Sequence, residues 1–534
     1  MRLPVIGDSG PDPELISLAE RARSRVVREL MTTQPPASRE AGGCGWYPAW
    51  PTEGVRLVYA TDLAEEGDQL AGWGLKVVVD SVRERGINVR YIPHPPESVV
   101  TRPDAWLLSL PYAGDTYRLA HFFSALGISP DRARRSGEPP FVLGGHGVLN
   151  PEPFLGVADV VFVGEADDRA GDLVSALAGG PEEVQAVPGA DVFGCGPVEF
   201  QVASGLDRRK VYQSEGGHGA GPAKYLEVGR GCKGGCRFCE LGWLYGYDER
   251  PREEVEEHLA EHGGDLVLSA PDTDGVSYFA DLMADGLYTP RWRSTRVTPY
   301  VRSQNQTRSS GRMKIRFGVE GFTERLRKLT GKAITDHRLR SGLSRAATEG
   351  YQSVRVFLIA GLPTETTADR THVVEILRIL SESGFRHHNA CDVKVTGLSP
   401  QPLTPWQREG IGGAIEGLAE LHEWRRRMSR SDPWWSRIML DRHTTEADVV
   451  KHMGRGDLVP YLEARARLWV DGPPGLRWAV TRRVAKAAGI DYDRMLDRWS
   501  GELPWSRLTH PHSEIQKRGE RSWERARGAV DEAR

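Results

Sequence analysis

Short apolar runs alternate with longer helical runs through the first third of the chain, and this pattern constrains the fold more than any other feature. Helical segments are predicted near 70–85 and 115–126. Five apolar runs predict buried strands: 55–60, 87–92, 105–110, 139–145 and 158–165. Apolar strands that alternate with helices and end in glycine favour a doubly wound parallel sheet. Ligands of such sheets bind beyond the carboxyl ends of the strands, so the loops that begin at Gly144 and Gly164 are candidate binding loops.

The same alternation returns in the middle of the chain. Six strands are predicted there, at 224–230, 265–270, 292–297, 314–320, 353–361 and 392–398. Helices are predicted between them, so the segment contains six β/α units. We therefore predict an α/β protein with a doubly wound parallel sheet, a partial (β/α)6 barrel and a helical C-terminal extension. The active site of such a barrel forms at the carboxyl ends of its strands.

The boundaries between these regions follow from length and composition. At 534 residues the chain is too long for one ordinary hydrophobic core. A polar, glycine-rich run at 215–224 separates the two alternating patterns. We divide the chain into five parts: an N-terminal extension 1–50, a Rossmann-like domain 51–180, a linker 181–223, a barrel core 224–407 and a helical region 408–534. The helices after residue 445 are expected to cap the barrel.

Three cysteines, Cys232, Cys236 and Cys239, lie in the loop that follows the first predicted barrel strand. Thiolates in this C-x3-C-x2-C spacing can each bind a different iron of a cubic iron–sulfur cluster. The fourth iron then keeps an open position, which in metal proteins distinguishes a reactive site from a structural one. A zinc site or unliganded thiols remain alternatives. Zinc commonly needs a fourth Cys or His, and His262 is the nearest histidine downstream.

The cysteine spacing, with Phe238 directly before the last cysteine, resembles the signature of the radical S-adenosylmethionine (radical SAM) enzymes. The resemblance implies a [4Fe-4S] cluster on the three cysteines, with SAM bound to the open iron through its amino and carboxylate groups. An electron from the cluster, supplied by a flavodoxin- or ferredoxin-type donor, would cleave SAM to methionine and a 5′-deoxyadenosyl radical. Four further runs resemble the subfamily that has a cobalamin-binding domain upstream: LRKLTGKAI, SPQPLTPWQ, GRGD and ELPWSRL.

The same resemblance implies a SAM site at the ends of the barrel strands. Phe238, Glu320, Ile359 and Gly361 would cradle SAM. Glu320 would bond the ribose or amino group, and Ile359 and Gly361 would hold the adenine. The family often has Gly-Gly-Glu after the second strand, whereas this chain has Ser-Ala-Pro-Asp ending at Asp272. Asp272 is a candidate substitute, and the alternative is a helix cap.

Cobalamin binding is left open by the sequence. The run from Gly144 to Asp167 resembles the glycine-rich strand ends of the subfamily's cobalamin-binding domain. The family's cobalt-ligand motif is D-x-H-x-x-G, and residues 62–67 fit this frame except that Ala64 occupies the histidine position. Alanine has no nitrogen to offer cobalt, so the cofactor would bind without a protein ligand, or the domain has lost it. His146 is a conceivable substitute and otherwise a solvated loop residue.

An acid-free stretch bears on the substrate. No Asp or Glu lies between Gly286 and Val319, whereas eight cations do. Four of them are candidate phosphate or substrate ligands, because arginine matches phosphate geometry: Arg293, Arg296, Arg302 and Arg308. This interpretation favours a nucleotide or a nucleic acid, either DNA or RNA. The alternative is a solvated loop whose charges pair with distant acids.

Three functions remain open. The first is a radical SAM enzyme that modifies a C–H bond of a nucleoside in nucleic acid, by rearrangement of the isomerase or mutase type or by methyl transfer. The second is a cobalamin-dependent C-methyltransferase of a small natural product or peptide, and the third is a non-catalytic iron–sulfur module. No apolar run reaches the roughly 20 residues that span a bilayer, and no export signal is seen, so we expect a cytoplasmic protein without a membrane partner.

Overall fold

The structure is a computed structural model that describes most of the chain. The described residues are 49–63, 73–92, 94, 96, 101–203, 205–206, 211–214, 223–263, 266–290, 292–302, 313–385, 387–440, 444–468 and 478–532. Two residues singled out above, Ala64 and Arg308, lie outside these ranges. None of the helices within them is both long and apolar enough to cross a membrane.

The first half of the molecule is built on a six-stranded sheet. Its strands are β1 (Leu57–Asp62), β2 (Asn88–Tyr91), β3 (Ala105–Ser109), β4 (Phe141–Gly144), β5 (Val160–Phe162) and β6 (Ala190–Asp191). They lie in the order β2-β1-β3-β4-β5-β6. The first five are parallel, and β6 is antiparallel to β5. The order 2-1-3-4-5 is that of a doubly wound sheet whose switch point lies between β1 and β3, which confirms the prediction.

Helices cover both faces of this N-terminal sheet. They are α1 (Trp73–Arg83), α2 (Tyr117–Ala125), α3 (Ala170–Ala176) and α4 (Pro181–Gln185). Side chains of a strand alternate between the two faces. Val58 and Ala60 therefore lie in one core cluster with Leu75 of α1, whereas Tyr59 lies in another with Phe122 of α2.

The barrel region contains all six predicted strands, but they pair as two sheets. The strands between residues 198 and 440 are β7 (Val198–Glu199), β8 (Tyr212–Ser214), β9 (Ala223–Glu227), β10 (Gly229–Arg230), β11 (Asp248–Glu249), β12 (Leu266–Ser269), β13 (Trp292–Thr295), β14 (Lys314–Glu320), β15 (Ser353–Ala360), β16 (Cys391–Gly397) and β17 (Ile438–Leu440). In one sheet β9 lies between β12 and β8, and β13 to β17 form a five-stranded parallel sheet. No ladder joins β12 to β13 among the described strands, so the barrel is split.

Two strands differ from the predictions. The first predicted barrel strand is divided into β9, which pairs with β12, and β10, which pairs antiparallel with β11. β17 lies in the region expected to be helical, where Ile438 is fully buried and pairs with Val393. A run of three residues is too short to show a period-2 pattern, so nothing in the sequence indicated this strand.

Seven helices among the described residues connect the barrel strands. They are α5 (Arg252–His262), α6 (Phe279–Ala284), α7 (Val297–Arg302), α8 (Glu324–Leu329), α9 (Asp336–Thr348), α10 (Thr367–Thr371) and α11 (Val373–Ser381). Threonine hydroxyls cap α8 and α9: Thr323 accepts from the Leu326 amide and Thr335 from the Arg338 amide. Each cap satisfies a backbone N–H that the helix itself leaves unpaired. α8 thereby begins directly after the loop at the end of β14.

The C-terminal region packs against both halves of the molecule. Its elements are α12 (Gly412–Met428), α13 (Thr444–Lys451), α14 (Leu458–Arg467), α15 (Trp478–Ala487), β18 (Leu508–Thr509) and α16 (Ser513–Glu532). Val449, Leu462 and Val484, from the first three helices after residue 440, share a core cluster with Phe122 of the N-terminal sheet domain. These three helices therefore cover the sheet domain, whereas the helices after residue 445 were expected to cap the barrel. An amphipathic pattern fixes which face of a helix is buried but not what covers it.

The last helix and the strand before it close the structure. Trp523 of α16 packs edge-on against Trp406 in the core of the barrel, with ring centroids 5.3 Å apart. β18 pairs in parallel with β7, which lies in the linker between the two halves. Residues near the C-terminal end therefore hold the two halves together.

Candidate active site

The three cysteines lie in a tight loop directly after β10. Gly231 begins this loop with a φ of +66°, and a side chain there would strike the carbonyl of Gly246. Only glycine adopts this conformation without strain. Within the loop the Gly234 amide donates to the Cys232 sulfur (3.2 Å), and the Cys239 amide donates to the Cys236 carbonyl (3.2 Å). The loop therefore has a defined shape that presents its thiols together at the carboxyl end of the strand.

His262, the candidate fourth ligand of a zinc site, lies away from the cysteine loop. His262 is not a fourth ligand, because it contacts the Lys224 ammonium (3.3 Å) at the amino end of β9. The cysteine loop follows the other end of that strand.

Burial keeps two of these thiols protonated in the protein alone. Burial raises the pKa of Cys236, against the opposing effect of the Lys332 ammonium. Burial also raises the pKa of Cys239, and the neighbouring Glu240 carboxylate adds to that shift. Because only a thiolate binds metal, binding of iron must displace these protons.

Two ion pairs stand beside the cysteine loop. The Lys332 ammonium donates to Glu320 (2.7 Å) and to the Gly318 carbonyl (3.2 Å). Burial opposes the charge of Lys332, but Glu320 outweighs it and raises the pKa of the ammonium. Arg296 donates to Asp272 (2.7 Å), and burial raises the pKa of that aspartate despite the arginine. The mouth of the split barrel thus carries two carboxylates and two cations in matched pairs.

Backbone strain marks the same end of the strands. Three non-glycine residues among those described have a positive φ: Glu320 (69°), Thr364 (65°) and Leu403 (60°). Each follows or ends a different strand of the five-stranded sheet, β14, β15 or β16, on its carboxyl side. A left-handed conformation costs such a residue about 1–2 kcal/mol, and strain of this kind concentrates at functional sites. The strained positions therefore point to the mouth as the working face.

The remaining predicted SAM residues have structural contacts of their own. Phe238 packs on Trp406, with centroids 6.2 Å apart. Ile359 is buried near the end of β15. Gly361, with a φ of +79°, leaves room for the backbone of Ala414 at the start of α12, where a side chain would clash. Its amide already donates to Glu365 (3.1 Å), so its N–H is not available to a ligand in this arrangement.

Two of the four candidate phosphate ligands form ion pairs with aspartates. Arg293 is buried and ion-paired with Asp274 (2.7 Å), and Arg296 is held by Asp272. Both acids lie just outside the acid-free stretch, on the loop after β12. Arg302 is exposed at the end of α7. The alternative interpretation was that the charges of the stretch pair with acids outside it. This holds for Arg293 and Arg296.

A largely apolar cavity of about 280 Å³ lies in the N-terminal domain, between the sheet and helices α1 and α3. Its inner wall is formed by aliphatic and aromatic side chains, among them Leu75, Leu107, Val142, Phe162 and Leu173. It reaches the carboxyl ends of the parallel strands, where ligands of doubly wound sheets bind. Two glycines with positive φ shape this rim: a Cβ at Gly145 would lie 2.6 Å from the Leu110 carbonyl, and one at Gly164 would strike Gln201.

The rim of this cavity touches the cysteine loop. His146, on the loop after β4, lies 3.2 Å from the Glu240 carboxylate and 3.0 Å from the Tyr245 hydroxyl. Burial works to raise the pKa of Glu240, but the hydrogen bond and charge of His146 lower it overall. Both ring nitrogens of His146 are thus engaged with residues just after Cys239. His146 is a contact between the two halves rather than a free ligand.

A buried cluster of charges forms the second contact. Arg230, two residues before the first cysteine, bonds Glu165 (3.0 Å), Asp167 (2.9 Å) and Glu227 (3.0 Å). Glu165 and Asp167 also line the cavity, and all four side chains are buried. Burial opposes the guanidinium charge, but the three carboxylates outweigh it and raise the pKa of Arg230. One arginine therefore ties the cavity rim to the loop that carries the cysteines.

Comparison with known proteins supports the resemblance to radical SAM proteins. Residues 83–186 match the family model described as radical SAM proteins, N-terminal. The resemblance to radical SAM proteins is confirmed. The match covers part of the sheet domain and part of the linker rather than the cysteine loop. The identification from the cysteines and the match upstream of them are therefore independent.

A solved structure of a radical SAM enzyme shares the fold. The cobalamin-dependent SAM radical enzyme OxsB with aqua-cobalamin bound superposes with a TM-score of 0.51 at 11% identity, over 95% of this chain and 89% of that one. The radical SAM methyltransferase TsrM of Kitasatospora setae, with cobalamin and a [4Fe-4S] cluster bound, gives a TM-score of 0.48 at 13% identity, over 82% and 99%. At such identity the OxsB match establishes a shared fold.

One curated relative also matches. The uncharacterized protein MJ0966 of Methanocaldococcus jannaschii is 26% identical over 328 residues, which cover 57% of this chain and 68% of the relative. Its name assigns no activity. The relative therefore does not narrow the function.

Several site residues were not found by sequence reasoning. Lys332, Arg230, Glu240 and Tyr245 act through partners on other elements, and spacing along the chain does not report such contacts. The run around Lys332 was recognised as similar to the subfamily, but no role could be read from it. Arg230 and Glu240 stand within two residues of a cysteine, which is the one signal that could have drawn attention to them.

Proposed function

We propose that this chain is a cobalamin-dependent radical SAM enzyme that transfers a methyl group to a carbon atom of a small molecule or peptide. One observation carries the proposal: the rim of the apolar cavity and the segment after the cysteine loop are in contact through His146 and Glu240 (3.2 Å). Cofactors bound at these two places would face the same space between the halves of the molecule. A substrate held in that space would reach both.

The cysteine loop and its surroundings fit the cluster and SAM. When bound, these supply the 5′-deoxyadenosyl radical that removes hydrogen from a C–H bond. SAM carries an amino group and a carboxylate on its methionine part. The N–H groups of that amine would donate to Asp272 and Glu320, and Arg296 and Lys332 would donate to that carboxylate. The charges of the four side chains already cancel in pairs. Bound SAM would therefore take the place of one partner in each pair, and no charge of the site would be left without a partner.

The cavity in the sheet domain fits part of a cobalamin. Its volume of about 280 Å³ is at the lower end for a ligand site, so it would take one planar, largely apolar group while the rest of the cofactor lies between the halves. When bound, cobalamin supplies the transferable methyl group. Alanine at position 64 offers no cobalt ligand, and His146 is engaged with Glu240 and Tyr245. We therefore infer that cobalamin binds without a nitrogen ligand from this chain.

A small substrate has more support than a nucleic acid. Binding to a nucleic acid backbone needs unpaired cations, whereas Arg293 and Arg296 each have a carboxylate partner. The contacts of Arg230 and His146 also bring the sheet domain over the barrel mouth, which leaves less room for a duplex than for a small molecule. Modification of a nucleoside in nucleic acid remains the alternative, with Arg302 and Arg308 as its candidate contacts.

The test is a cofactor and product analysis under anaerobic conditions. The reconstituted protein is incubated with cobalamin, SAM and dithionite, and bound cobalamin, 5′-deoxyadenosine and S-adenosylhomocysteine are measured. We expect a near-stoichiometric cobalt content after gel filtration and formation of 5′-deoxyadenosine. Cys195→Ser is the matched control, since Cys195 is exposed and remote in sequence from the loop.

Each of the following outcomes would contradict a different part of the proposal. Cluster and 5′-deoxyadenosine without retained cobalamin would leave a radical SAM enzyme and exclude this methyltransferase. Cobalamin and cluster without any SAM cleavage would favour the non-catalytic iron–sulfur module. Faster SAM turnover with oligonucleotides than with amino acids or peptides would favour the nucleic acid alternative.

A further inference from the structure

The C-terminal helix α16 presents two different faces. Gly519 and Trp523 lie on the face turned to the barrel. A Cβ at Gly519 would lie 2.7 Å from the Trp243 ring, and Trp523 packs on Trp406. Residues two positions away along a helix lie about 200° around its axis, so Arg521 and Arg525 point the opposite way, into solvent.

The outer face is part of a basic groove. Its charged lining residues are five cations and two carboxylates: Arg408, Arg498, Lys517, Arg521, Arg525, Glu520 and Glu524. Lys517 is paired with Glu514 (3.0 Å) on the same helix. Arg498 pairs with Glu409 (3.2 Å) and Glu524. Arg521 and Arg525 make no ion pair among the described residues and are exposed. A chain with a net charge of −3 thus carries a local positive field at this groove.

The groove lies close to the cysteine loop. The Trp243 indole, against which Gly519 packs, donates its N–H to the Cys236 carbonyl (2.8 Å). On the same side, the Arg237 guanidinium lies 5.9 Å from the Trp523 ring centroid. A helix with its side chains is about 10–12 Å in diameter, so one helix thickness separates the basic groove from the ring that touches a cysteine of the loop.

The opposite approach to the cysteines is covered. At the mouth of the split barrel, Arg230 bonds Glu165 and Asp167 of the sheet domain, and His146 of the sheet domain bonds Glu240 after the cysteine loop. These contacts hold the sheet domain over the strand ends. A protein that must come near the loop therefore has better access from the α16 side. This side is also where the charge is positive.

We propose that the basic groove on α16 is the docking surface for an acidic, one-electron carrier protein that reduces the cluster. The inference rests on the function proposed above, because only a redox-active cluster needs such a partner. One electron leaves the reduced centre of the carrier, which is oxidised by one equivalent, and enters the cluster, which is reduced by one equivalent. Acidic residues around the carrier's redox centre would pair with Arg521 and Arg525, which brings that centre toward Trp243.

The test compares two reductants on two charge-reversal variants. Arg521→Glu with Arg525→Glu reverses two charges in the groove, and Arg426→Glu with Arg427→Glu reverses two on α12, where both side chains are about two-thirds exposed. Cluster bleaching and 5′-deoxyadenosine are followed with photoreduced flavodoxin and, separately, with dithionite. We expect the groove variant to be reduced at least about tenfold more slowly by flavodoxin at low salt and at the normal rate by dithionite. The α12 variant should match the unmodified protein with both.

Salt gives a second readout. Attraction between surface charges is screened within about 10 Å at 0.1 M ionic strength, so the flavodoxin rate of the unmodified protein should fall with added salt and that of the groove variant should not. Equal flavodoxin rates in all three proteins would overturn the proposal. So would a loss of oligonucleotide binding in the groove variant at an unchanged flavodoxin rate, which would make the groove a nucleic acid surface. An equal loss of reduction rate with flavodoxin and with dithionite would mean that α16 only stabilises the structure around the cluster.

The failure of this inference and the failure of the proposed function remain distinguishable. Bleaching of the cluster by flavodoxin needs no SAM and no cobalamin, so docking is measured even in a protein that forms no 5′-deoxyadenosine. Conversely, dithionite supports SAM cleavage without any carrier. A protein that cleaves SAM with dithionite but ignores the groove charges refutes the docking surface alone.

Discussion

The N-terminal sheet and the barrel mouth present two candidate cofactor sites of opposite character. In the sheet domain the site is an apolar cavity, shaped by side-chain volume and by glycines such as Gly145 and Gly164. At the barrel mouth the site consists of three thiols and two ion pairs, Glu320 with Lys332 and Asp272 with Arg296. A site of the first kind is sensitive to added volume, whereas one of the second kind is sensitive to the loss of a single group.

This difference also explains which of the two sites can be recognised in the sequence. Thiols and charges at fixed spacing are chemical features that a sequence displays. A cavity is the space left between elements that meet only after folding. The following changes test whether the two sites respond separately and how firmly they are joined, beginning with the largest expected effect.

Replacing any one of the three cysteines by alanine should abolish the cluster. Each thiolate would bind a different iron, so no neighbour in the loop can take over its role. We expect loss of iron, sulfide and visible absorption in the anaerobically reconstituted protein, and no 5′-deoxyadenosine. Cobalamin retention should remain, because the cavity lies in the other half. Cys195→Ser should keep its iron. A Cys236→Ala protein with full iron content would contradict the assignment.

Arg230→Gln should weaken the junction between the halves. The change leaves Glu165, Asp167 and Glu227 buried without the guanidinium, and removing one partner of a buried charge cluster costs about 3–5 kcal/mol. Urea unfolding at pH 7.5 measures this loss. A loss below about 1 kcal/mol would show that the two halves are joined mainly by apolar packing.

His452 should make the sheet side of the molecule sensitive to acid. It is buried against Trp499 and Trp505, and burial lowers its pKa from the ordinary 6.5 to about 4. Because the unfolded chain takes up the proton first, stability is present above pH 6.5 and is lost as the pH falls toward 4. We expect a loss of about 2 kcal/mol between pH 7 and pH 5. Denaturant unfolding of His452→Gln should not show this loss of stability at low pH. If the stability of the variant depends on pH as before, the loss belongs to another group.

Val142→Phe should act on the sheet site alone. Val142 lines the cavity from the central strand β4, and the larger ring would occupy space that a cofactor needs. We expect cobalamin to bind roughly tenfold more weakly, a change of about 1.4 kcal/mol, while iron content and thermal stability stay the same. Spectrophotometric titration measures this change. Val142→Ala, which enlarges the cavity, is the control and should retain the cofactor. Unaltered binding in the phenylalanine variant would exclude the cavity as the site.

Much of the fold was predictable because its signals are local. The apolar runs that became β1, β3, β4 and β5 are buried on both faces and stand out from their polar surroundings. The cysteine loop is eight residues long, so its spacing alone indicates its chemistry. In contrast, β17 has three residues and no periodic signal. Cobalamin binding stayed open in the sequence, since the ligand motif lacks its histidine at Ala64.

The contacts that complete the site could not be predicted from the sequence. Lys332 meets Glu320 because the chain after α8 folds back over the end of β14, and neither residue type nor spacing indicates that. The docking of α13 to α15 on the sheet domain was missed because their apolar faces would suit either half. The acid-free stretch was correctly noted, yet the partners of Arg293 and Arg296 lie just outside it, on a neighbouring loop.

The parallel pairing of β18 with β7 has a consequence for how the protein is made. Thr509 bonds the Val198 carbonyl, 311 residues earlier in the chain. A ribosome adds about 5–20 residues per second, so β18 is synthesised on the order of 15–60 s after β7. During that interval the sheet domain also lacks α13 to α15, and its apolar flank is exposed to solvent or to a chaperone. Assembly of the two halves is thus tied to the synthesis of residues 444–509.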